Sequence, residues 1–253
     1  MAVTAPAPSL PLAAPYLVQQ DWSRYTADQH AVWAELVGHR MPQLEQHACQ
    51  EYLDGFHNIG LRQDVIPDLA TVNTLLSPRT GWNATAVSGY LPGPAFFEMI
   101  AARRFPTTIT LRSRESLEYT PEPDIFHDVF GHVPLHADPV FADFLHRFGQ
   151  LAARATREED VEAMARLFWF TVEFGLVQER GQVRVYGSGL ISSHGDAANA
   201  LGPKCDRRPF SLDAVLAQPF EIDRLQDVLF VVDDFAQLFA AVDEAAVRLR
   251  LGA

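Results

Sequence analysis

The chain has 253 residues, of which 48% are hydrophobic and 21% are charged, and this composition excludes disordered, collagen-like and low-complexity proteins. With 20 basic and 32 acidic side chains the formal net charge is −12, which opposes binding to nucleic acid or to anionic membranes. No window approaches the roughly 20 uninterrupted apolar residues of a membrane span.

The Pro- and Ala-rich start of the chain lacks a positive region and is interrupted by prolines, so no signal peptide is predicted. No internal repeat or Gly/Ser linker divides the remainder, and we expect an extended arm over residues 1–20 and one domain over residues 21–253. The two cysteines, Cys49 and Cys205, are far apart and form no CxxC pair, which favours a reducing, cytoplasmic location. Because no coiled-coil heptad is present, we expect a monomer.

The first helix is predicted to begin after Thr26, because Thr26 and Gln29 form a capping-box pair and apolar residues follow at helical spacing. Pro42 is expected to kink or divide this helix, since proline removes a backbone donor from a helix interior. A shorter helix is predicted after Pro67, and the sequence SPRTG at residues 77–81 is predicted to be a loop.

The next region predicts a strand, a Gly/Pro loop, a short helix and a second strand, in which Ile109 and Leu111 alternate with polar neighbours. Three helical runs are predicted to follow, at about residues 124–131, 139–155 and 158–178. A pair of strands is predicted around QVRVYGSGLISS at residues 182–193, and the run VLFVV at residues 228–232 precedes a last helix. These elements predict an α+β fold that is predominantly α-helical, with short peripheral strands.

The segment DIFHDVFGHVP contains the sharpest candidates for metal ligands, His127 and His132. Five residues advance an ideal α-helix by about 500°, which leaves the two side chains about 140° apart rather than on one face. We therefore expect a distorted turn between them, and Gly131 can supply it because glycine tolerates backbone angles that other residues resist.

A third donor is available in the aromatic run LFWFTVEFGLVQE, where Glu173 follows phenylalanine, tryptophan and valine. A carboxylate among such neighbours costs several kcal/mol of desolvation free energy unless it meets a cation. Two neutral imidazoles and one carboxylate form the facial donor set that leaves positions open on ferrous iron. We therefore predict an Fe(II) site formed by His127, His132 and Glu173.

Other interpretations compete with this one. Glu173 could pair with an arginine, for which the candidates are Arg112, Arg114 and Arg166, and the aromatic run could simply be core. A zinc hydrolase could use the same donors, although a general-base glutamate is missing between the histidines. Most other histidines are expected at the surface or hydrogen-bonded, namely His30, His39, His47, His57 and His146, whereas His136 and His194 are closer cases.

Three separated segments resemble the pterin-dependent aromatic amino acid hydroxylases, in particular their short bacterial members. They are YTPEPDIFHDVFGHVPL from Tyr119, WFTVEFGL from Trp169 and YGSGLISS from Tyr186, and they occur in the family's order and at its distances. Weaker similarity extends from about Tyr25 to Phe239. The resemblance implies that residues 21–253 form a single catalytic domain that uses Fe(II) and tetrahydrobiopterin or a related tetrahydropterin.

The resemblance also implies roles for individual residues, with His127, His132 and Glu173 as the iron ligands. Arg112 would bind the substrate carboxylate and be held by Asp124. The other implied substrate-binding residues are Thr120, Pro123, Trp169, Phe174 and Ser192. The implied pterin-binding residues are Gly89, Tyr90, Leu91, Phe96, Asp128, Ala165 and Phe168.

The activity that the resemblance implies is hydroxylation of L-phenylalanine to L-tyrosine, with O2 and a tetrahydropterin as further small-molecule substrates. Hydroxylation of tryptophan, or meta-hydroxylation of phenylalanine, is the alternative within the family. A zinc hydrolase, or a silent binding protein for an amino acid or a pterin, is the alternative outside it. Phe168 replaces a tyrosine that the family often has, so we expect altered cofactor affinity or coupling rather than loss of activity. Without a regulatory domain or a tetramerisation helix, allosteric activation is not expected.

Overall fold

The computed structural model describes residues 10–117 and 122–251, and helices dominate this part of the chain. The α-helices are α1 (Ala27–His47), α2 (Gln50–Asn58), α3 (Leu69–Thr80), α4 (Gly93–Ala101), α5 (Pro139–Ala152), α6 (Glu158–Phe168), α7 (Ser188–Ser192), α8 (His194–Leu201), α9 (Leu212–Ala217) and α10 (Phe235–Arg248). Two π-helical segments, Phe126–His132 and Trp169–Glu173, interrupt this pattern.

The strands are short and form two small sheets. They are β1 (Asn83–Val87), β2 (Arg104–Thr108), β3 (Leu176–Glu179), β4 (Gln182–Val185), β5 (Asp206–Pro209) and β6 (Val228–Val232). β1 and β2 pair in parallel, and the other four lie in the order β4-β3-β6-β5, with β3 and β4 antiparallel and the other pairs parallel. Because no described strand exceeds five residues, helices enclose most of the core, and the predicted helix-rich α+β class is confirmed.

The first helix confirms the predicted cap and corrects the expected break. The Thr26 side chain accepts a hydrogen bond from the Gln29 backbone N–H, and the Gln29 side chain accepts one from the Thr26 backbone. Contrary to the expectation, Pro42 does not divide α1, which continues to His47. Proline removes only one hydrogen bond of the ladder, and buried apolar residues on both sides of Pro42 hold the helix together by packing.

Helix α3 also extends further than its sequence predicts. The residues SPRTG were expected to form a loop, yet α3 continues through Pro78 to Thr80. Gly81 ends it with φ +77°, and its N–H donates to the Ser77 carbonyl at 2.9 Å. Glycine in the left-handed conformation, rather than proline, is therefore the terminator of this helix.

Two predicted elements near the carboxyl-terminal half were wrong. The expected helix over 158–178 ends at Phe168, and its last residues form a π-helical segment and then β3. The strand pair expected within 182–193 is instead a hairpin of β3 with β4, closed by two residues with positive φ, Arg180 and Gly181. The remainder, GSGLISS, forms α7 rather than a strand.

Strand β2, earlier in the chain, is also shorter than predicted. It ends at Thr108, before the alternating residues Ile109 and Leu111.

The core is rich in aromatic side chains that surround the first π-helical segment. Trp33 on α1 packs edge-on against Phe126 and Phe130, with ring centroids 5.6 and 6.4 Å away. The Tyr52 hydroxyl donates to the Phe130 carbonyl at 2.9 Å, which ties α2 to the same segment. These contacts fix the segment Phe126–His132 against α1 and α2, and Ser192 of α7 contacts His127 of the same segment. Within the described residues, no helix combines the length and the apolar character that crossing a membrane requires.

The described part of the N-terminal arm packs against β1 and α4. The backbone N–H groups of Leu12 and Ala13 donate to the Glu98 carboxylate at 3.0 and 2.9 Å. Val18 donates to the Ala86 carbonyl at 3.1 Å, so the arm adds a short bridge to the free edge of β1. The arm therefore lies beside the Gly/Pro loop that follows β1.

Candidate metal centre and substrate site

Three side chains that are distant in sequence converge at one point. The Nε2 atoms of His127 and His132 are 3.3 Å apart, and Glu173 oxygens lie 3.7 Å from the first and 3.2 Å from the second. Within the described residues, this is the one group of three His, Cys, Asp or Glu side chains whose ligand atoms all lie within 4.8 Å of one another. The structure thus brings together the three residues that the sequence predicted as metal ligands.

The π-helical geometry of Phe126–His132 explains how two histidines five residues apart can meet. A π-helix closes its hydrogen bonds from i to i+5, so residues five apart come to lie near one another, which an α-helix does not allow. The expected distortion is therefore present, but Gly131 does not provide it through a positive φ. Its missing side chain instead admits α7, since a Cβ at Gly131 would lie 3.1 Å from the Ser188 carbonyl oxygen.

Glu173 is the last residue of the second π-helical segment. The Phe174 N–H donates to the Trp169 carbonyl at 2.8 Å, an i to i+5 hydrogen bond that closes the segment. Gly187 and Gly189 then let the chain pass close to Glu173, because a Cβ at Gly187 would lie 2.6 Å from the Glu173 carbonyl carbon and one at Gly189 would lie 3.1 Å from its oxygen. The glycines of YGSGLISS are thus explained by close approach to a predicted ligand.

Two serines of α7 hold two of the three candidate ligands. The Ser188 hydroxyl donates to Glu173 Oε2 at 2.6 Å, and the Ser192 Oγ lies 3.0 Å from His127 Nδ1. The Ser192 hydroxyl gives its own hydrogen to the Ser188 carbonyl at 2.8 Å, so His127 Nδ1 must donate to it. This tautomer leaves the lone pair of His127 Nε2 directed at the other two ligand atoms.

The role expected for Ser192 was substrate binding, whereas its hydrogen bonds in this structure go to His127 and Ser188. Ser188 was missed entirely, although a signal was present. Ser188 and Ser192 are four residues apart in a motif already singled out, and residues at that spacing share one face of a helix.

The electrostatics of Glu173 favour the carboxylate form. Burial alone raises the pKa of Glu173, but the His132 and His127 imidazoles and the Ser188 hydroxyl outweigh it and lower the pKa to about 2. The alternative that an arginine pairs with Glu173 is wrong. The arginines considered each have other partners, namely Asp124 for Arg112, Asp28 and Glu35 for Arg114, and Glu162 for Arg166.

Arg112 is held by Asp124, the partner that the family resemblance implied. Its Nε donates to Asp124 Oδ2 at 2.9 Å and its second terminal nitrogen donates to Oδ1 at 2.8 Å, a two-point contact between largely buried side chains. Asp124 also accepts from the His127 backbone N–H at 3.0 Å. One carboxylate therefore fixes the candidate substrate arginine and a candidate metal ligand relative to each other. Pro123 precedes it and is half-buried, whereas Thr120 lies outside the described residues.

The aromatic residues expected to enclose a substrate ring are stacked on one another. The Trp169 and Phe174 rings have centroids 4.7 Å apart, and both residues belong to or adjoin the segment that ends in Glu173. Phe220 stacks on Trp169 at 4.6 Å and 18°. Sequence reasoning missed Phe220, because it lies in a loop 51 positions away and carries no local pattern.

Some residues expected to bind a pterin gather beside His132. Phe168 stacks over the His132 imidazole at 6.5 Å, and Phe96 meets Phe168 edge-on at 5.3 Å. Asp128 is buried, and its Oδ2 accepts from the Thr108 backbone and hydroxyl at 2.7 and 2.8 Å. Burial raises the pKa of Asp128, although the hydrogen bonds from Thr108 act in the opposite direction.

The loop after β1 is only partly turned to the interior. Gly89 has φ +155°, Tyr90 is 81% exposed, and the Leu91 side chain is buried in a separate apolar cluster with Leu10 and Ala13 of the arm. Leu91 is therefore packed beneath the arm instead of lining an open site. Ala165 lies half-buried on α6, one turn before Phe168.

The fold and the site define a helix-rich enzyme class with a two-histidine, one-carboxylate donor set beside a cluster of packed aromatic rings. The chain belongs to the biopterin-dependent aromatic amino acid hydroxylase family, whose model matches residues 16–250. This membership confirms the family that the sequence motifs indicated, and it does not favour the zinc-hydrolase alternative.

Relatives and solved structures agree with this assignment. The phenylalanine-4-hydroxylase of Vibrio cholerae is 42% identical over 222 residues, which cover 87% of this chain and 75% of that protein. A crystal structure of Chromobacterium violaceum phenylalanine hydroxylase with bound Fe(III) has a TM-score of 0.89 at 39% identity and covers 93% of this chain and 86% of its own. Another, with iron(III) and oxidised 7,8-dihydrobiopterin, has a TM-score of 0.88 at 36% identity over 99% and 94% of the two chains.

Proposed function

We propose that this chain is an iron- and tetrahydropterin-dependent monooxygenase that converts L-phenylalanine to L-tyrosine. The observation that carries the proposal is the convergence of His127, His132 and Glu173 next to the aromatic pair Trp169 and Phe174. Bacterial phenylalanine-4-hydroxylases are similar to this chain along most of its length, and crystal structures of one of them share its fold, which supports phenylalanine as the substrate.

The donor set fits a divalent metal ion. Ligand atoms about 2.1 Å from an ion are about 3.0 Å apart at right angles and about 3.4 Å apart at tetrahedral angles. The two Nε2 atoms are 3.3 Å apart, and they lie 3.7 Å from Oε2 and 3.2 Å from Oε1 of Glu173, which is close to these values. The His127 Nε2 lone pair and the Glu173 carboxylate meet at this point, an arrangement that a cation stabilises.

The protein's own contribution is to bind and orient. When bound, the iron and the tetrahydropterin supply the activation of dioxygen, and one of its oxygen atoms enters the substrate ring. His127, His132 and Glu173 would occupy three neighbouring positions of the iron and leave the others open. Ser188 and Ser192 keep Glu173 and His127 in place, so that the geometry is set before a metal arrives.

Substrate orientation would depend on two anchors. Arg112 has three N–H groups engaged by Asp124 and the Leu117 carbonyl, which leaves two of its five for a substrate carboxylate. Trp169 and Phe174 would contact the aromatic ring, since aromatic side chains favour offset or edge-on contacts with one another. Two anchors at opposite ends of an amino acid fix which ring carbon faces the metal.

The pterin would lie against Phe96 and Phe168, since Phe168 stacks over the His132 imidazole and Phe96 packs edge-on against Phe168. Gly89, Tyr90, Asp128 and Ala165 would complete that side, whereas Leu91 contributes through its packing beneath the arm.

We further propose a monomeric, cytoplasmic protein with residues 1–20 as an arm on the catalytic domain. The two buried, unpaired cysteines and the net charge of −12 support this location. Light scattering on the purified protein tests the monomer.

The decisive experiment is a single-turnover assay started by oxygen. Purified protein is loaded anaerobically with Fe(II), a tetrahydropterin and L-phenylalanine, and product chromatography follows the admission of O2. We expect L-tyrosine, no product without pterin, and loss of product in His127→Ala but not in the exposed-histidine control His57→Ala. Hydroxytryptophan or meta-tyrosine as the main product would instead support the alternatives within the family, and bound zinc with oxygen-independent hydrolysis would refute the proposal.

A further inference from the structure

A buried arginine outside the site contacts the helix that supports two of its ligands. Arg40 on α1 is 4% exposed, and its Nε and one terminal nitrogen donate to the carbonyls of Ile191 and Leu190, each at 2.9 Å. Its other terminal nitrogen donates to the side-chain oxygen of Gln43 at 2.6 Å. All three acceptors are neutral, so among these contacts no carboxylate balances the charge.

A buried cation without a counter-ion is costly, and this one remains charged near neutral pH. Burial lowers the pKa of Arg40 to about 10, while Tyr52 acts in the opposite direction. Desolvation of an unpaired ion costs several kcal/mol, and a methionine of similar length would avoid it. The planar guanidinium can, however, contact two adjacent carbonyls at once, which neither methionine nor lysine does in that geometry.

The two carbonyls belong to the residues immediately before Ser192. Helix α7 has five residues, which is too short to hold its own geometry, so its position depends on tertiary contacts. On one side its serines contact His127 and Glu173, and on the other Arg40 holds its carboxyl end. A displacement of α7 would move both serine hydroxyls together.

We infer that Arg40 is a positioning residue for the metal site, acting through α7 to keep Ser192 on His127 and Ser188 on Glu173. This inference rests on the proposed function, because it assumes that the three converging side chains bind a metal. Outer residues that orient ligands typically contribute 10- to 100-fold to metal affinity. Since Arg40 acts one contact further out, we expect an effect near the lower end of that range.

The test is titration of the metal-free, full-length protein with Co(II), which reports both affinity and ligand geometry through its visible absorption bands. Arg40→Met is expected to weaken Co(II) binding about tenfold and to shift these bands. The matched control is Arg207→Met. Arg207 also donates to two backbone carbonyls at a helix end, those of Ala200 and Gly202 at α8, but it is exposed and contacts no residue of α7 in the described structure. We expect wild-type affinity and spectrum for it.

A double-mutant cycle separates positioning from general destabilisation. In a Ser192→Ala background, Arg40→Met should reduce the free energy of Co(II) binding by less than half of what it costs in the wild type. The Ser192→Ala change has already removed the contact with His127 through which Arg40 acts. Should Arg40→Met not fold, Arg40→Gln retains one amide donor and is expected to lose about threefold in affinity.

Each outcome has a distinct meaning. Wild-type protein that binds no Co(II) overturns the proposed function, and the inference falls with it. Wild-type binding together with unchanged affinity and spectrum in the Arg40 variant refutes the inference alone. Equal losses of Co(II) affinity in the Arg40 and Arg207 variants would mean that Arg40 contributes only general stability. The same conclusion would follow if the effects of Arg40→Met and Ser192→Ala on Co(II) binding free energy were additive.

Discussion

Replacing Gly187 by alanine should damage the metal site without touching any ligand. A methyl group there would lie 2.6 Å from the Glu173 carbonyl carbon, closer than the 3.0 Å below which real Cβ contacts essentially do not occur. The backbone must therefore separate by at least about 0.4 Å, and metal sites tolerate about 0.2 Å in their ligand distances. Because Gly187 has φ −61° and ψ 136°, alanine fits its backbone conformation and the cost is steric.

The expected magnitudes follow from this overlap. Overpacking of a close-packed interior costs about 1–3 kcal/mol, so the metal-free variant should lose that much free energy of unfolding in urea. Co(II) affinity should fall at least about tenfold, since Glu173 and its Ser188 partner are pushed apart. Chemical denaturation and Co(II) titration on the same protein preparation measure the two effects.

Gly38 provides the matched control. It lies inside α1, and nothing lies within 4 Å of the position its Cβ would take. Gly38→Ala should therefore stabilise the protein by about 0.5–1 kcal/mol through helix propensity and leave Co(II) affinity unchanged. If Gly187→Ala matched Gly38→Ala in stability and metal affinity, the close approach of α7 to Glu173 would not be what holds the site.

Four further outcomes are expected. Phe168→Tyr should change the KM for tetrahydropterin by about two- to tenfold, the range of one hydrogen bond, and leave Co(II) affinity unchanged. Asp124→Asn should raise the KM for L-phenylalanine and lower the free energy of unfolding by about 3 kcal/mol, because the buried Arg112 loses its counter-ion. Burial lowers the pKa of His136 to about 3, below its unfolded value of 6.5, so its contribution to stability is complete above pH 6.5 and declines as the pH falls. His136→Phe should therefore remove about 1.6 kcal/mol of the wild-type loss between pH 6.5 and pH 5, measured by urea unfolding. In a solution whose free metal concentration is 100 times the Kd, removing the metal with a chelator should lower the Tm of the protein by about 5–10 °C in calorimetry.

The candidate metal ligands could be predicted because their evidence is chemical. Glu173 among aromatic residues needs a cation wherever the chain places it, and His127 and His132 are the imidazoles that the sequence groups with unusual spacing. The geometry that unites them could not be predicted in detail. Periodicity arguments assume 3.6 residues per turn, and a π-helical segment violates that assumption at the very positions of interest.

Contacts that depend on tertiary approach were beyond local patterns. Ser188 and Arg40 act on residues 15 and about 150 positions away, so no local pattern names their partners. The hairpin of β3 and β4 was missed because β3 continues an apolar run that also suits a helix, so its strand character appears only when β6 pairs with it. Local propensity was most reliable where a cap or a glycine acts on its immediate neighbours, as at Thr26.

The two π-helical segments make chain length itself a requirement of this site. Each closes its hydrogen bonds from i to i+5 instead of from i to i+4, and an α-helix is the more stable hydrogen-bonded form of the same chain. Deleting a single residue such as Val129 would let the Phe126–His132 segment close as an α-helix, and the deletion would also bring its histidines from five to four apart while rotating everything that follows. Natural variation in this family should therefore substitute residues in these segments far more readily than it inserts or removes them.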